Sequence, residues 1–169
     1  MATTGQTQTN ASQIAVDFTS FISDHYINEL NKLIADNHPF VAFIVIASGI
    51  EFLGKAISNN PFFEDKHSKD DFNNALSKFP SLQKYSNLGL VVDNNNNDIS
   101  LYKGLRCGIV HSTCPQNGIV LTEGSNALPN EIGLIDLSND FIAACNYLLQ
   151  GGIQMGSGKQ LTDILCYIS

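Results

Sequence analysis

The chain has 169 residues, of which 43% are apolar and 15% charged, enough for one domain with a substantial buried core. Its formal net charge of −7 argues against the broad basic surface on which non-specific nucleic-acid binding depends, so any nucleic acid would have to meet a local site. We predict a disordered tail over residues 1–10 and a single helical-bundle domain over 11–169.

The N-terminus lacks the basic start and apolar core of a signal peptide, which predicts a cytoplasmic protein with free cysteine thiols. The longest apolar stretch, Phe40 to Ile50, is too short for the ~20 residues that a membrane span needs. We therefore predict a buried core helix there and no membrane association.

The first three helices are predicted from apolar spacing and from proline positions. Apolar residues three and four apart predict a long amphipathic helix over 11–35. A second helix, over 39–58 with Pro39 in its first turn, is apolar nearly all round and should be the central buried element. A third is predicted over 68–79, with Ser68 and Asp71 forming a capping box.

Two surface features flank that third helix. The acidic residues at 64–65 and 70–71 are predicted to form a solvated face at the helix start. The asparagine run at 94–97 predicts a loop, after which Asp98 can cap a fourth helix over 99–112.

The C-terminal third has a different apolar period. Residues 119–121 and 132–137 predict two short strands that form a β-hairpin. Ser138 is predicted to cap a fifth helix through 150, and 161–168 is an apolar tail, either helix or strand. The expected fold is mainly α, with about five helices and a small β-hairpin insertion before the last long helix.

The chain contains a single arginine, Arg106, and it lies five residues before His111 in the fourth predicted helix. Arginine presents a planar fork of donors that suits phosphate, and histidine is the side chain best able to move protons near neutral pH. The two residues are a minimal set for holding or cutting a phosphodiester. On an ideal helix, however, they would lie roughly 140° apart around the axis.

A helical bundle whose late helix carries this arginine and histidine resembles the HEPN superfamily (higher eukaryotes and prokaryotes nucleotide-binding). The matching residues are Arg106 and His111 within LYKGLRCGIVHSTCP. One departure is Cys107, since catalytic members often have a polar residue after the arginine.

The resemblance implies a metal-independent endoribonuclease without a cofactor, acting on RNA as a homodimer. His111 would be the general base or acid, and Arg106 would stabilise charge on the phosphoryl oxygens. Tyr102, one turn before Arg106, would bind a base or a phosphate of the substrate. The alternative is a non-catalytic nucleotide-binding, RNA-binding or protein-interaction module of the same fold, in which the motif is retained for structure.

Two structural explanations of the motif also stand. Glu51 is an acidic residue within the apolar second helix, and either Arg106 or Lys55 could neutralise it, with His111 as a hydrogen-bonded interior histidine. Alternatively, Cys107, His111 and Cys114 share one helical face and could hold zinc, although the sequence nominates no fourth ligand.

Overall fold

The computed structural model describes residues 14–62, 65–89, 100–112, 114–116, 118–126, 131–161 and 164–167. Over these residues the protein has six α-helices, several π-helical and 3-10 segments, and two small two-stranded sheets. The predicted mainly α fold is therefore confirmed. The predicted tail at 1–10, the asparagine run at 94–97 and the Asp98 cap lie outside the described residues.

The first helical stretch begins later than its apolar spacing predicted. It comprises α1 (Phe18–Phe21), a π-helical segment (Ile22–Asn28) and α2 (Glu29–Ala35). The Asp17 carboxylate caps it, accepting hydrogen bonds from the Ser20 amide at 2.9 Å and the Ser20 hydroxyl at 2.7 Å. A capping aspartate satisfies free amides of the first turn and fixes where the helix starts.

The residues before this cap form a strand, so the prediction of a helix from residue 11 is wrong at its start. Strand β1 (Ile14–Asp17) pairs in antiparallel fashion with β4 (Ile164–Tyr167). The apolar C-terminal tail is thus a strand where it is described. Local apolar spacing could not reveal this pairing because the partner lies at the other end of the chain.

Helix α3 (Pro39–Ile57) is the central element of the core, as predicted. It packs against α4 (Ser68–Lys78) and α6 (Leu134–Leu149). Gly54 allows the closest approach, since a Cβ at this position would overlap the backbone carbonyl of Asp71 in α4. Only glycine permits two backbones to come so near each other.

Replacing Gly54 with alanine is therefore expected to lower the free energy of unfolding by about 1–3 kcal/mol, because the carbonyl it meets is backbone and cannot rotate away. Urea denaturation measures this change. Gly124→Ala is the control, since a Cβ at Gly124 meets nothing within 4 Å. Equal stability of the two variants would contradict the close α3–α4 contact.

Among the described residues, one helix, Pro39–Ile57, is long and apolar enough to cross a membrane when only length and composition are considered. The most apolar window of this helix is 61% buried inside the fold. A core helix meets the same criteria, so the helix is weak evidence for a membrane span. The absence of membrane association and the cytoplasmic location stay predictions.

Helix α4 begins at Ser68, as predicted, but without the capping box. Ser68 is the first helical residue, and Asp71 is buried instead of reaching back to the helix start. Its carboxylate accepts a hydrogen bond from the Asn60 side chain at 3.3 Å. The prediction of a solvated acidic face is therefore wrong for Asp71.

The predicted hairpin is a parallel pair, and the helix that follows it starts early. Strands β2 (Val120–Thr122) and β3 (Glu131–Gly133) run parallel. Helix α6 begins at Leu134, so Ser138 is not its cap but an interior residue whose hydroxyl bonds the Ile135 carbonyl at 3.0 Å. The apolar run at 132–137 predicts a strand, but from residue 134 it is helical: the buried residues Leu134, Leu137 and Phe141 are three and four apart.

Candidate functional site

The candidate site lies on the fourth helical stretch, which is not a regular α-helix. Residues Tyr102–Cys107 form a π-helical segment, and α5 (Gly108–Ser112) continues it. The helix predicted over 99–112 is thus confirmed over residues 101–112, with a different local geometry. The two site residues lie on either side of this change in geometry, Arg106 in the π-helical segment and His111 in α5.

Arg106 and His111 meet in the structure despite their separation on an ideal helix. Arg106 Nη1 lies 2.9 Å from His111 Nε2. Since arginine can only donate, Nε2 acts as the acceptor, which assigns the proton of a neutral ring to Nδ1. The pair therefore has a defined hydrogen-bonding direction, from guanidinium to imidazole.

Glu51 anchors the other side of the guanidinium. Arg106 Nε donates to Glu51 Oε2 at 2.7 Å, and Lys55 Nζ lies 3.6 Å from Glu51 Oε1. Both Glu51 and Lys55 are buried. The sequence hypothesis that one of the two cations neutralises Glu51 is confirmed for both, so Arg106 is a structural partner of α3.

The site is nevertheless open to solvent at its outer edge. The Arg106 side chain is 20% exposed, and His111 is exposed. The prediction of an interior histidine is therefore wrong. A single guanidinium thus connects a buried carboxylate to a surface imidazole.

The chain after α5 folds back and holds the site segment in place. The Gln116 amide donates to the Gly104 carbonyl at 3.0 Å, and the Cys114 amide donates to the Gly108 carbonyl at 3.3 Å. A Cβ at Gly108 would lie 2.7 Å from the Cys114 carbonyl oxygen. The two glycines are needed for this close return, which fixes the backbone on which Arg106 lies.

Tyr102 lies beside the pair but is directed partly into the fold. Its ring packs edge-on against Phe72 with the ring centroids 5.6 Å apart. Burial raises the pKa of the Tyr102 hydroxyl, and the nearby Cys107 thiol raises this pKa further, while Arg106 opposes both effects. The hydroxyl is therefore neutral near pH 7.

This raised pKa predicts a loss of stability in alkali. The neutral hydroxyl is favoured in the folded state. Its contribution to the free energy of unfolding is therefore complete below the ordinary tyrosine pKa of ~10 and is lost as the pH rises through the folded-state pKa. Above pH ~10, the free energy of unfolding of the wild type should fall more steeply than that of Tyr102→Phe. Urea denaturation across this pH range measures both slopes.

The control for this experiment is Tyr147→Phe, which changes a partly exposed tyrosine. It should keep the wild-type slope. Tyr85, whose pKa burial also raises, remains in all three proteins and contributes equally to each. A Tyr102→Phe protein with an unchanged alkaline slope would contradict the assignment.

The zinc alternative finds no support in the geometry. Helix α5 ends at Ser112, so Cys114 does not continue the helical face of Cys107 and His111. The Cys114 thiol lies 3.2 Å from the Pro115 carbonyl oxygen. Within the part of the chain that the structure describes, no three His, Cys, Asp or Glu side chains are grouped as metal ligands.

Sequence reasoning found Arg106, His111, Tyr102, Glu51 and Lys55 but not the way they are brought together. The isolated charge in an apolar helix was the signal for Glu51. No sequence pattern predicted the π-helical segment Tyr102–Cys107.

Comparison with known proteins adds no assignment: no family model, no curated protein and no solved structure matches this chain. The fold and the local geometry of the site are therefore the basis for a functional proposal.

Proposed function

We propose that the protein is a metal-independent endoribonuclease of the HEPN-like kind, with Arg106 and His111 as its catalytic residues. The observation that carries this proposal is the 2.9 Å contact between Arg106 Nη1 and His111 Nε2 at a solvent-exposed edge. A phosphate-binding group and a proton-transfer group are thereby within reach of one phosphodiester.

The resting contact suggests how substrate would prepare the base. Nε2 of His111 is occupied by Arg106 in the free protein. A phosphate that accepts the Nη1 hydrogen bond would compete with the imidazole and free the Nε2 lone pair. Because Glu51 holds Nε, the guanidinium can turn its outer edge toward phosphate without losing its anchor.

The chemical step would then use the 2′-hydroxyl of RNA. His111 Nε2 takes the 2′-OH proton while the 2′-oxygen attacks the adjacent phosphorus. A P–O2′ bond forms, the P–O5′ bond breaks, and the departing 5′-oxygen takes a proton from solvent, to which protonated His111 later returns one. A 2′,3′-cyclic phosphate is left. Arg106 stabilises the charge that grows on the non-bridging oxygens.

Since the formal charge is −7, RNA would have to be recognised at a local site. A homodimer in which two copies share a cleft is part of the proposal, and Tyr102 would contribute a neutral hydroxyl to substrate binding. Sedimentation measures the oligomeric state directly.

The second candidate is a non-catalytic nucleotide-binding, RNA-binding or protein-interaction module. The contact between Arg106 and Glu51 favours it, because neutralising a buried carboxylate is a sufficient reason to keep the arginine. Cys107 also favours a non-catalytic module, because catalytic members of the HEPN superfamily often have a polar residue at this position.

RNA cleavage in EDTA tests the proposal. Two oligonucleotides of mixed sequence are compared, one entirely ribose and one with 2′-deoxyribose at every position. The wild type is expected to cleave only the ribose substrate and to leave 2′,3′-cyclic phosphate ends, because the attacking nucleophile is the 2′-oxygen.

His111→Ala protein, purified in parallel, controls for contaminating nucleases. Equal cleavage by both proteins would contradict the assignment of His111. Cleavage of the deoxy substrate would contradict attack by the 2′-oxygen. An intact wild type that cleaves neither substrate would favour the binding module.

A further inference from the structure

A cavity lies between the end of α3, helix α4 and the 3-10 segment Pro80–Gly89. Its volume is about 540 Å³, within the range of small-molecule sites. Its described lining combines two carboxylates, three side-chain amides and several serine hydroxyls around Leu76. These lining residues are distinct from those of the arginine–histidine site.

Asp71 is the unusual member of this lining. The residue is 1% exposed, and Asn60 Nδ2 donates to its Oδ1 at 3.3 Å. Asn60 itself lines the cavity, so the carboxylate lies at the cavity wall. Asp71 Oδ2 is buried and accepts no hydrogen bond from the described residues. A carboxylate oxygen in such a position is costly unless a donor reaches it.

The backbone of Asp71 cannot easily move to relieve this oxygen. Its carbonyl packs against Gly54 of α3, where a Cβ would overlap it. Asp70, by contrast, has a side chain that is 82% exposed. The fold thus holds one carboxylate almost buried in the cavity wall and a second at the rim.

Lys159 interacts electrostatically with Asp71 but is engaged elsewhere. Lys159 Nζ donates to the Ser58 carbonyl at 2.9 Å and to the Lys55 carbonyl, and it lies 4.5 Å from the Phe62 ring centroid. It contacts the C-terminal carbonyls of α3 and acts on Asp71 through space. An ammonium group from outside the protein could therefore bind Asp71 Oδ2 without displacing Lys159.

We propose that this cavity binds a small hydrophilic primary amine. Its ammonium group would donate to Asp71 Oδ2, and its hydroxyl or amine groups would bond Asn73, Asn74 and Ser77. The carboxylates disfavour an anion. A metal ion fits less well, because the described residues contain no group of three acidic, histidine or cysteine ligands and the cavity is much larger than an ion.

Binding to the full chain can be measured with defined probes. Spermidine and glucosamine are titrated by calorimetry, with glucose as the neutral counterpart of glucosamine. We expect at least one amine to bind the wild type and glucose not to bind. Asp71→Asn keeps the side-chain shape and should weaken the amine about ten- to a hundredfold, because it removes a hydrogen bond between charged groups.

Asp36→Asn is the matched control, since it makes the same change of net charge at an exposed position outside the cavity. It should retain wild-type affinity. Asn73→Leu, which alters a half-buried lining amide, should also weaken binding and decides the question if Asp71→Asn does not fold.

The proposal is overturned if neither amine binds, if glucose binds as well as glucosamine, or if Asp36→Asn weakens binding as much as Asp71→Asn does. The last result would indicate diffuse attraction to an acidic protein. None of these results depends on RNA cleavage, so the amine site and the nuclease proposal are tested separately.

Discussion

Replacing His111 with alanine is expected to slow RNA cleavage by about 10²–10⁴-fold, the usual contribution of a positioned general base. The structural reason is that His111 is the imidazole in contact with Arg106, at 2.9 Å, and is exposed to solvent. Single-turnover cleavage of the ribose oligonucleotide in EDTA measures the rate.

The same change should leave the free energy of unfolding within about 0.5 kcal/mol of the wild type, because the side chain is exposed. His38→Ala is the matched control: it also removes an exposed histidine, and His38 makes no side-chain capping bond at the start of α3. Its cleavage rate should be unchanged. A His111→Ala protein that cleaves within about threefold of the wild type would exclude the imidazole as the base.

Replacing Glu51 with leucine is expected to lower the free energy of unfolding by about 3–5 kcal/mol, as breaking a buried ion pair from one side does. Glu51 is the carboxylate that two cations share, Arg106 at 2.7 Å and buried Lys55 at 3.6 Å. Without Glu51, the positive charges of Arg106 and Lys55 lie close together with no negative charge to neutralise them. Urea denaturation measures the loss.

Arg106→Met is the informative comparison, because it removes one cation but leaves Glu51 beside Lys55. We expect a smaller loss of about 1–2 kcal/mol, since the Arg106 side chain is partly exposed and one ion pair remains. A larger loss for Arg106→Met than for Glu51→Leu would show that the arginine, and not the carboxylate, is the centre of the cluster. Glu29→Leu, on an exposed pair with Lys32, should lower stability far less than Glu51→Leu does.

These two experiments separate the roles of one guanidinium. Arg106 is joined to a buried carboxylate on one side and to an exposed imidazole on the other. The first contact fixes the position of the guanidinium against α3, and the second is the basis for the proposed chemistry. A structural role and a catalytic role are therefore compatible in the same side chain.

Much of the helical architecture was predictable from local signals. The apolar composition of 39–57 with Pro39 in the first turn predicted α3, and Gly151 follows α6 with a positive φ of 74° that suits glycine. Glu51 could be identified as a residue that needs a cation because a charge in a buried helix is costly. These inferences depend on residues close together in sequence.

The errors occur where distant parts of the chain meet. Residues 14–17 continue an apolar pattern typical of a helix, yet they pair with 164–167 because a strand there satisfies backbone groups at both ends of the chain. The burial of Asp71 follows from the close approach of α4 to Gly54. Neither contact leaves a pattern within a short window of sequence.

The sequence by itself determined a mainly helical protein, the central helix α3, and the residue types of the candidate site. Only the tertiary structure decided that Arg106 reaches both Glu51 and His111. An ideal helix would separate Arg106 from His111, whereas in the structure they lie on either side of the junction between the π-helical segment and α5, to which the returning segment at 114–116 is hydrogen-bonded. The sequence specifies which chemical groups are present, whereas the distance between two side chains depends on all the elements that pack around them.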